Sequence, residues 1–582
     1  RATLYLDTSP DPVLVHLHEA PAGAAPAVLI VPPFGWDDVA SHRARRRWAE
    51  RLAADGSPAA RLDLPGTGDS AGGASDPGRL TAWAAAVAGA AAWLRARSGD
   101  RRVVALGLGL GGLVAWKAAA EGAAIDDLAL WGVPARGRSL VRELQAFAAL
   151  KQDEWGDGPP PADARRVTDG FDVTGYVIAQ ETADALTALD LTALPLPAAA
   201  GRRVLLLDRD GVPVDRRLRE HAAAAGLDLQ EAPGPGWGAM TSGPQESVFP
   251  EEAAGAVAGW LRGAPGAPGV AAAETARELP ELALHGATEG PWTAVRAFGR
   301  QFGVLARPGD GGHPRPLGLV LLNAGAVRHT GPNRMWVEAA RRWAPRGVPV
   351  LRLDIEGLGD SDGDERPYVD SARLYEPRLA EQAVAAVEDL VAAGVADRWL
   401  VAGLCAGASW AFHAVLHGGE HVPAAVLVNP FAFYWEDELV AEREMGAARR
   451  LRGVDGWRRL LSGSVTPDRV RTVAVHALRT PVERGRRRQR AQRRVRRDEG
   501  DLDRLRDAGK QLTMLIGRDE PILDRFQRDG ILERLDRWPN VALHRLPTRD
   551  HTFRAPWLQD RVHAALDAAV TAELERRRER GH

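Results

Sequence analysis

One cysteine stands in the 582-residue chain, at position 405. A single thiol excludes an intramolecular disulfide framework and any metal site built from several cysteines, and it favours a cytoplasmic home. Lysine is almost as scarce, at 117, 151 and 510 only, so arginine carries the basic charge. A surplus of either sign is also missing: the formal net charge is −2, which gives no reason to expect nucleic acid or a membrane surface as partner. No apolar run reaches the ~18 residues of a spanning helix. Arg1–Asp7 lacks a basic stretch leading into an apolar one, so no signal peptide is expected there. What is present is ordinary for a soluble globular protein, with 45% apolar residues. The length exceeds one hydrophobic core, so at least two domains are expected.

The chain is written twice. Residues 61–70 read Arg-Leu-Asp-Leu-Pro-Gly-Thr-Gly-Asp-Ser, and 352–361 read Arg-Leu-Asp-Ile-Glu-Gly-Leu-Gly-Asp-Ser. Upstream of each lies a short apolar run, Ala27–Val31 and Gly318–Leu322, suited to a buried parallel strand. Downstream, Val103–Leu106 and Leu400–Ala402 each lead into a Gly-rich turn and an Ala-rich helical stretch. Gly263–Gly269 (Gly-Ala-Pro-Gly-Ala-Pro-Gly) has linker chemistry, which places the boundary near residue 265. Helices are predicted over Thr81–Arg97 and Ala380–Ala393. Strand–helix alternation predicts an α/β class, with each copy a doubly wound, mainly parallel sheet.

Gly403-Leu404-Cys405-Ala406-Gly407 follows a predicted strand (Trp399–Ala402) and opens a predicted helix (Ala408–Leu416). Gly-x-nucleophile-x-Gly between strand and helix is the nucleophile elbow, whose glycines let neighbouring backbone pass closely. A helix N-terminus also favours the thiolate, the reactive form of cysteine. A buried structural cysteine flanked by glycines is the competing reading. Here the sequence resembles the α/β-hydrolase superfamily, over both halves and nearly the whole chain. The landmarks run in order: a strand into Asn323-Ala324-Gly325-Ala326, the Asp-x-x-Gly-x-Gly-Asp-Ser loop, the elbow, a variable lid, an acid and a late histidine.

That resemblance implies a triad in the order nucleophile, acid, histidine. After the predicted strand Gln511–Ile516 comes Gly517-Arg518-Asp519-Glu520-Pro521, which selects Glu520 as the acid with Asp519 as its rival. After Ala542–Leu546 comes Pro547-Thr548-Arg549-Asp550-His551-Thr552-Phe553, which selects His551 among fifteen histidines. The roles implied are proton transfer at Cys405 for His551, orientation of the imidazole for the acid, and an oxyanion site from the N–H of Ala406 with that of Gly325 or Ala326. Cysteine replaces the commoner serine; dienelactone hydrolases and polyhydroxyalkanoate synthases are similar in that respect only.

The first copy keeps the frame and loses the chemistry. Its elbow, Gly107-Leu108-Gly109-Leu110-Gly111-Gly112, carries Gly109 at the nucleophile position. Trp237 stands at the histidine position, Asp210 survives near the acid position, and Pro32-Pro33 removes N–H donors from the oxyanion loop. The same glycines fit G-x-G-x-x-G, but they follow at least two earlier strands, which argues against a dinucleotide site.

Between Asn429 and Gln511 an insertion holds Phe431, Phe433, Tyr434 and Trp435, either an acyl pocket or lid core. It also holds the run Arg484–Arg497, a dock for acyl carrier protein or coenzyme A, or a solvated face balanced by Glu499, Asp501 and Asp503. The expectation is an acyl-transfer enzyme with a Cys405 thioester and a small-molecule acyl substrate. It has no cofactor and no metal, and the resemblance is to enzymes of specialised-metabolite or polysaccharide pathways. The alternatives are a thioesterase or carboxylesterase and, from another class, a non-catalytic binding protein.

Overall fold

The short apolar runs become strands. In the computed structural model of the chain, which describes all residues but 156–168, 198–200, 267, 271–272, 313, 366–367, 369–370, 436–480 and 581–582, the first ten strands are β1 (Ala2–Asp7), β2 (Val13–His18), β3 (Ala27–Val31), β4 (Ala59–Leu62), β5 (Val103–Leu108), β6 (Asp127–Trp131), the hairpin β7 (Phe171–Val173) and β8 (Tyr176–Ile178), β9 (Arg203–Leu207) and β10 (Asp228–Ala232). They are followed by β11 (Arg277–Leu279), β12 (Leu282–Leu284), β13 (Ala287–Arg296), β14 (Gly299–Pro308), β15 (Gly318–Ala324), β16 (Val350–Leu353), β17 (Trp399–Leu404), β18 (Ala424–Val428), β19 (Gln511–Gly517) and β20 (Val541–Leu546). The predicted helices form at Arg79–Arg97, Pro377–Ala392 and Ala406–His417.

By spatial contact the chain divides into two units, one of residues 1–312, 326–364 and 553–560, the other of residues 313–325, 365–552 and 561–582. In the first unit one sheet runs β10-β9-β6-β5-β3-β4-β2-β1-β11. Its pairs β4–β3–β5–β6–β9–β10 are parallel, and β2 and β1 are antiparallel. Both faces are covered, and alternate residues divide between them. Leu29, Val31, Ala105, Leu128, Val204 and Leu206 enter one core, while Val28, Ile30, Val104, Leu106, Leu205 and Leu207 enter the other. Period-2 side chains that are apolar at every position require this arrangement. Each fully buried aliphatic contributes about 1.5–3 kcal/mol.

The second frame repeats that pattern within each unit. β13, β14 and β16 pair antiparallel in the first unit, as β1, β2 and β4 do. In the second unit β15, β17, β18, β19 and β20 pair parallel in that order, as β3, β5, β6, β9 and β10 do.

The repeated Arg-x-Asp…Gly-Asp-Ser segments fold alike. Asp63 Oδ2 accepts the Asp69 N–H (2.9 Å), and Ser70 Oγ donates to Asp63 O (2.7 Å). Asp354 Oδ2 accepts the Asp360 N–H (2.9 Å), and Ser361 Oγ donates to Asp354 O (2.8 Å). The arginines that open the segments exchange partners: Arg61 reaches Asp360 (2.7 Å) and Arg352 reaches Asp69 (3.1 Å). All four charges are buried in the first unit.

Among the described residues no helix is long and apolar enough to cross a membrane, and no group of three or more His, Cys, Asp or Glu is placed to hold a metal ion.

Candidate active site

Cys405 follows β17 directly and caps the helix Ala406–His417, with φ 59° and ψ −118°. An L-residue held there costs about 1–3 kcal/mol, and such strain collects at functional sites. The flanking glycines have a steric reason. A Cβ on Gly403 would lie 2.1 Å from Gly407 O, and one on Gly407 would lie 2.0 Å from Asn323 O. The turn is fixed by ladder geometry, since Cys405 N–H donates to Val428 O (3.0 Å) and Ala324 pairs with Leu404. β15 runs to Ala324, two residues beyond the predicted strand end, and Gly325 turns out of it with φ 57°. Ala326 opens the stretch that belongs to the first unit. Ala406, first residue of its helix, has an N–H with no intrahelical acceptor.

Glu520 follows β19 and precedes the helix Pro521–Arg528, whose leading proline fixes the entry of the chain. Its side chain is 7% exposed, and its Oε1 lies 2.9 Å from His551 Nδ1. Asp519 turns away: it sits at φ 68°, is 39% exposed, and pairs with Arg549 Nε at 3.1 Å. Of the two rival carboxylates, Glu520 is the one brought to the histidine.

His551 is 23% exposed at its side chain. Burial pushes its pKa down, but the charges of Glu520 and Cys405 and the hydrogen bonds to both outweigh burial and raise it to about 10. Nδ1 is taken by Glu520, which leaves Nε2 as the ring nitrogen available to Cys405. Cys405 keeps partial exposure. The three groups form a chain in the order thiol, imidazole, carboxylate, with a helix N-terminus at the sulfur.

The first frame shows the same turn emptied. Gly109 has φ 51° and ψ −113°, within a few degrees of Cys405, and a Cβ there would lie 3.4 Å from the Trp237 ring. The indole occupies the room above Gly109, packed on Trp131 at 5.2 Å. Asp210 accepts the N–H groups of Gly236 (2.5 Å), Trp237 (3.2 Å) and Gly238 (2.7 Å), and these bonds hold its pKa down against burial. By strand register, with Trp131 opposite Leu207 and Val428 opposite Leu515, Asp210 stands at the Arg518 position and Gly211, at φ 80°, at that of Asp519. Asp210 thus stands two residues before the Glu520 position, and its carboxylate caps the segment that carries Trp237.

Of the aromatic residues after β18, Phe433 is core, stacked on Phe412 at 3.9 Å, and Tyr434 OH donates to Asp501 (2.6 Å). Phe431 and Trp435 cluster with Tyr375. The rest of the insertion lies outside the described residues up to 480. The arginine run falls in the helix Pro481–Asp507. Arg494 pairs with Asp529 (3.0 Å), while Glu499 and Asp503 pair with Arg534 and Arg537 at 2.6 Å each. Arg490, Arg493 and Arg496 are exposed.

Sequence reasoning passed over one residue here. Asn429 was taken only as the edge of the insertion, yet it is fully buried and bonded to the main chain of both the acid and histidine segments.

No protein-family model and no curated protein matches the sequence. Solved structures do align with it. The proline iminopeptidase of Mycobacterium smegmatis is 15% identical with TM-score 0.31, covering 45% of this chain and 98% of its own. The esterase Est1E of Butyrivibrio proteoclasticus, with ferulic acid bound, is 14% identical with TM-score 0.30, covering 44% and 96%. A dienelactone hydrolase of Anabaena variabilis is 13% identical with TM-score 0.31, covering 50% and 99%. The architecture itself, parallel strands with a sharp strand-to-helix turn after β17 and loops after β19 and β20, is the α/β-hydrolase fold.

Proposed function

We propose that residues 266–582 form an acyl-transfer enzyme working through a Cys405 thioester, and that the frame of residues 1–265 is catalytically silent. One observation carries this reading. The same strained turn holds a thiol with a 2.9 Å His551–Glu520 pair in one frame, and a glycine under a tryptophan in the other. The Cys405 sulfur attacks the acyl carbonyl carbon, and the Ala406 N–H with that of Gly325 receives the oxyanion. Collapse expels the leaving group, which takes the proton from His551 Nε2 and leaves an acyl thioester. An amine or alcohol then attacks, returning its proton to His551 and freeing Cys405. Thioesters react readily with amines, which favours transfer; with water as acceptor the same steps give hydrolysis. A donor bearing an anionic carrier group would find the exposed Arg490, Arg493 and Arg496.

The test is intact-mass analysis after mixing with a p-nitrophenyl ester. An acyl adduct is expected on the parent and not on Cys405→Ala, and its decay should quicken with added amine. Absence of an adduct under rapid quench, with no ester turnover, overturns the proposal.

The two carboxylates separate cleanly. Glu520→Gln removes the charge that supports the imidazolium and is expected to lower kcat by on the order of 10²–10⁴-fold. Asp519→Asn breaks an exposed pair and is expected to stay within about threefold of the parent. Steady-state ester turnover by both variants decides between them.

A further inference from the structure

We infer that Asn429 is a positioning residue that holds the acid and histidine loops of the proposed triad in register; the inference rests on that triad. Asn429 follows β18 directly, and the preceding Val428 O accepts the Cys405 N–H (3.0 Å). Its own N–H donates to Leu515 O (2.8 Å) in β19. Its side-chain Oδ1 accepts the Gly517 N–H (2.6 Å), three residues before Glu520, and its Nδ2 donates to His551 O (2.7 Å). One amide thus ties the strand that presents the acid to the residue that carries the imidazole, from a position next to the strand end on which the nucleophile turn hangs.

The residue type is dictated by chemistry. The partners are a donor N–H and an acceptor carbonyl, so the side chain must supply both an acceptor and a donor, as a carboxamide does and a carboxylate does not. The main chain adds a second requirement, since φ is +43°. Asparagine is among the few residues other than glycine that enter this region readily. In the silent frame the position after β6 is Gly132, at φ 64°, and Trp237 ring carbons stand 3.5 Å from where its Cβ would be. The turn is kept in both frames; the amide is present only where a histidine needs holding.

Asn429→Gly removes both side-chain bonds and leaves the positive φ unstrained, so folding is spared. The expected result is a kcat for p-nitrophenyl ester turnover lowered about 10- to 100-fold, since a misplacement near 1 Å can cost that much, with KM within about twofold. Iodoacetamide alkylation of Cys405 at pH 6 should slow and acquire the rising pH profile of an ordinary thiol. Asn429→Asp keeps the acceptor for Gly517 and loses the donor to His551 O; it is expected to lose activity likewise, and it decides the matter should the glycine variant not be recovered folded. Variants that lower only the melting temperature, with kcat and the alkylation profile parental, overturn the inference. His551→Ala run in parallel separates the two failures. If it changes the profile and the Asn429 variants do not, only the positioning role falls; if it changes nothing, the triad falls and this role with it.

Discussion

Replacing His551 by alanine is expected to turn Cys405 from a thiol that alkylates at a nearly constant rate between pH 6 and 9 into one whose rate climbs tenfold per pH unit. The cause lies in the pair. Glu520 and Cys405 raise the imidazole pKa to about 10 against its burial, and a protonated ring together with a helix N-terminus favours the thiolate of a neighbouring sulfur. An ordinary thiol near pKa 8.5 is only about 0.3% ionised at pH 6. A stabilised thiolate is also a weaker nucleophile, with a Brønsted slope of about 0.4–0.5, which trims the difference in rate. The deficit at pH 6 is therefore set at about tenfold or more, and the slope of the profile is the sharper readout. Iodoacetamide kinetics followed by intact mass measures both. Equal slopes for parent and variant would remove the ion pair from the mechanism. The high-pH side carries its own sign. Because the folded pKa lies above the unfolded value of about 6.5, the pair contributes stability that is fully present below pH 6.5 and is lost as pH rises through about 10. Turnover should fall in the same alkaline range, where the ring no longer has a proton for the leaving group.

Cys405, Glu520 and His551 were legible because each is marked by short-range chemistry: glycines that a sharp turn needs, a carboxylate ahead of a helix-opening proline, a histidine after the last strand. The strands were legible for a related reason, since a run apolar at every position has only a sheet buried on both faces to go to. Asn429 was not legible, because its meaning comes from bonds to Gly517 and His551, far away in sequence. A trace was available in the residue that follows the same strand in each frame, glycine in one and asparagine in the other, the pair of types that tolerate a positive φ. Asp210 misled for the opposite reason. A carboxylate near the right place in the first frame looked like an acid, and only the strand register shows that it stands two residues short of the Glu520 position. The repeated arginines were visible as a motif, but their exchange of partners was not, because nothing local says that Arg61 will answer to Asp360.

His329→Leu is expected to cost about 3–5 kcal/mol, the usual penalty for removing one member of a buried charge network. His329 is fully buried in the first unit, with Nδ1 2.7 Å from Asp354 Oδ2 and Nε2 2.7 Å from Asp69 Oδ2. Burial pushes its pKa down; Asp354 and then Asp69 overcome this and bring it up to about 10. Asp69 is held well below the ordinary carboxylate range for the converse reason, with His329 and Arg352 outweighing its own burial. Leucine fills the space and leaves two carboxylates without the cation between them. Arg328, bidentate to Asp63 at 2.9 and 3.0 Å, and Arg352, shared between Asp69 and Glu289, are already committed and cannot take its place. For a unit of this size the loss corresponds to a fall in melting temperature of roughly 5 °C. The pH dependence adds a signature that lost packing alone would not give. The histidine's contribution is fully present below pH 6.5 and disappears as pH rises through about 10, so the gap between parent and variant should be widest at pH 6 and narrow steadily toward pH 10. Melting curves of both proteins at pH 6, 8 and 10 supply the comparison. A gap that is small at pH 6, or that stays constant to pH 10, would mean that His329 is held there by shape and not by the charges that flank it.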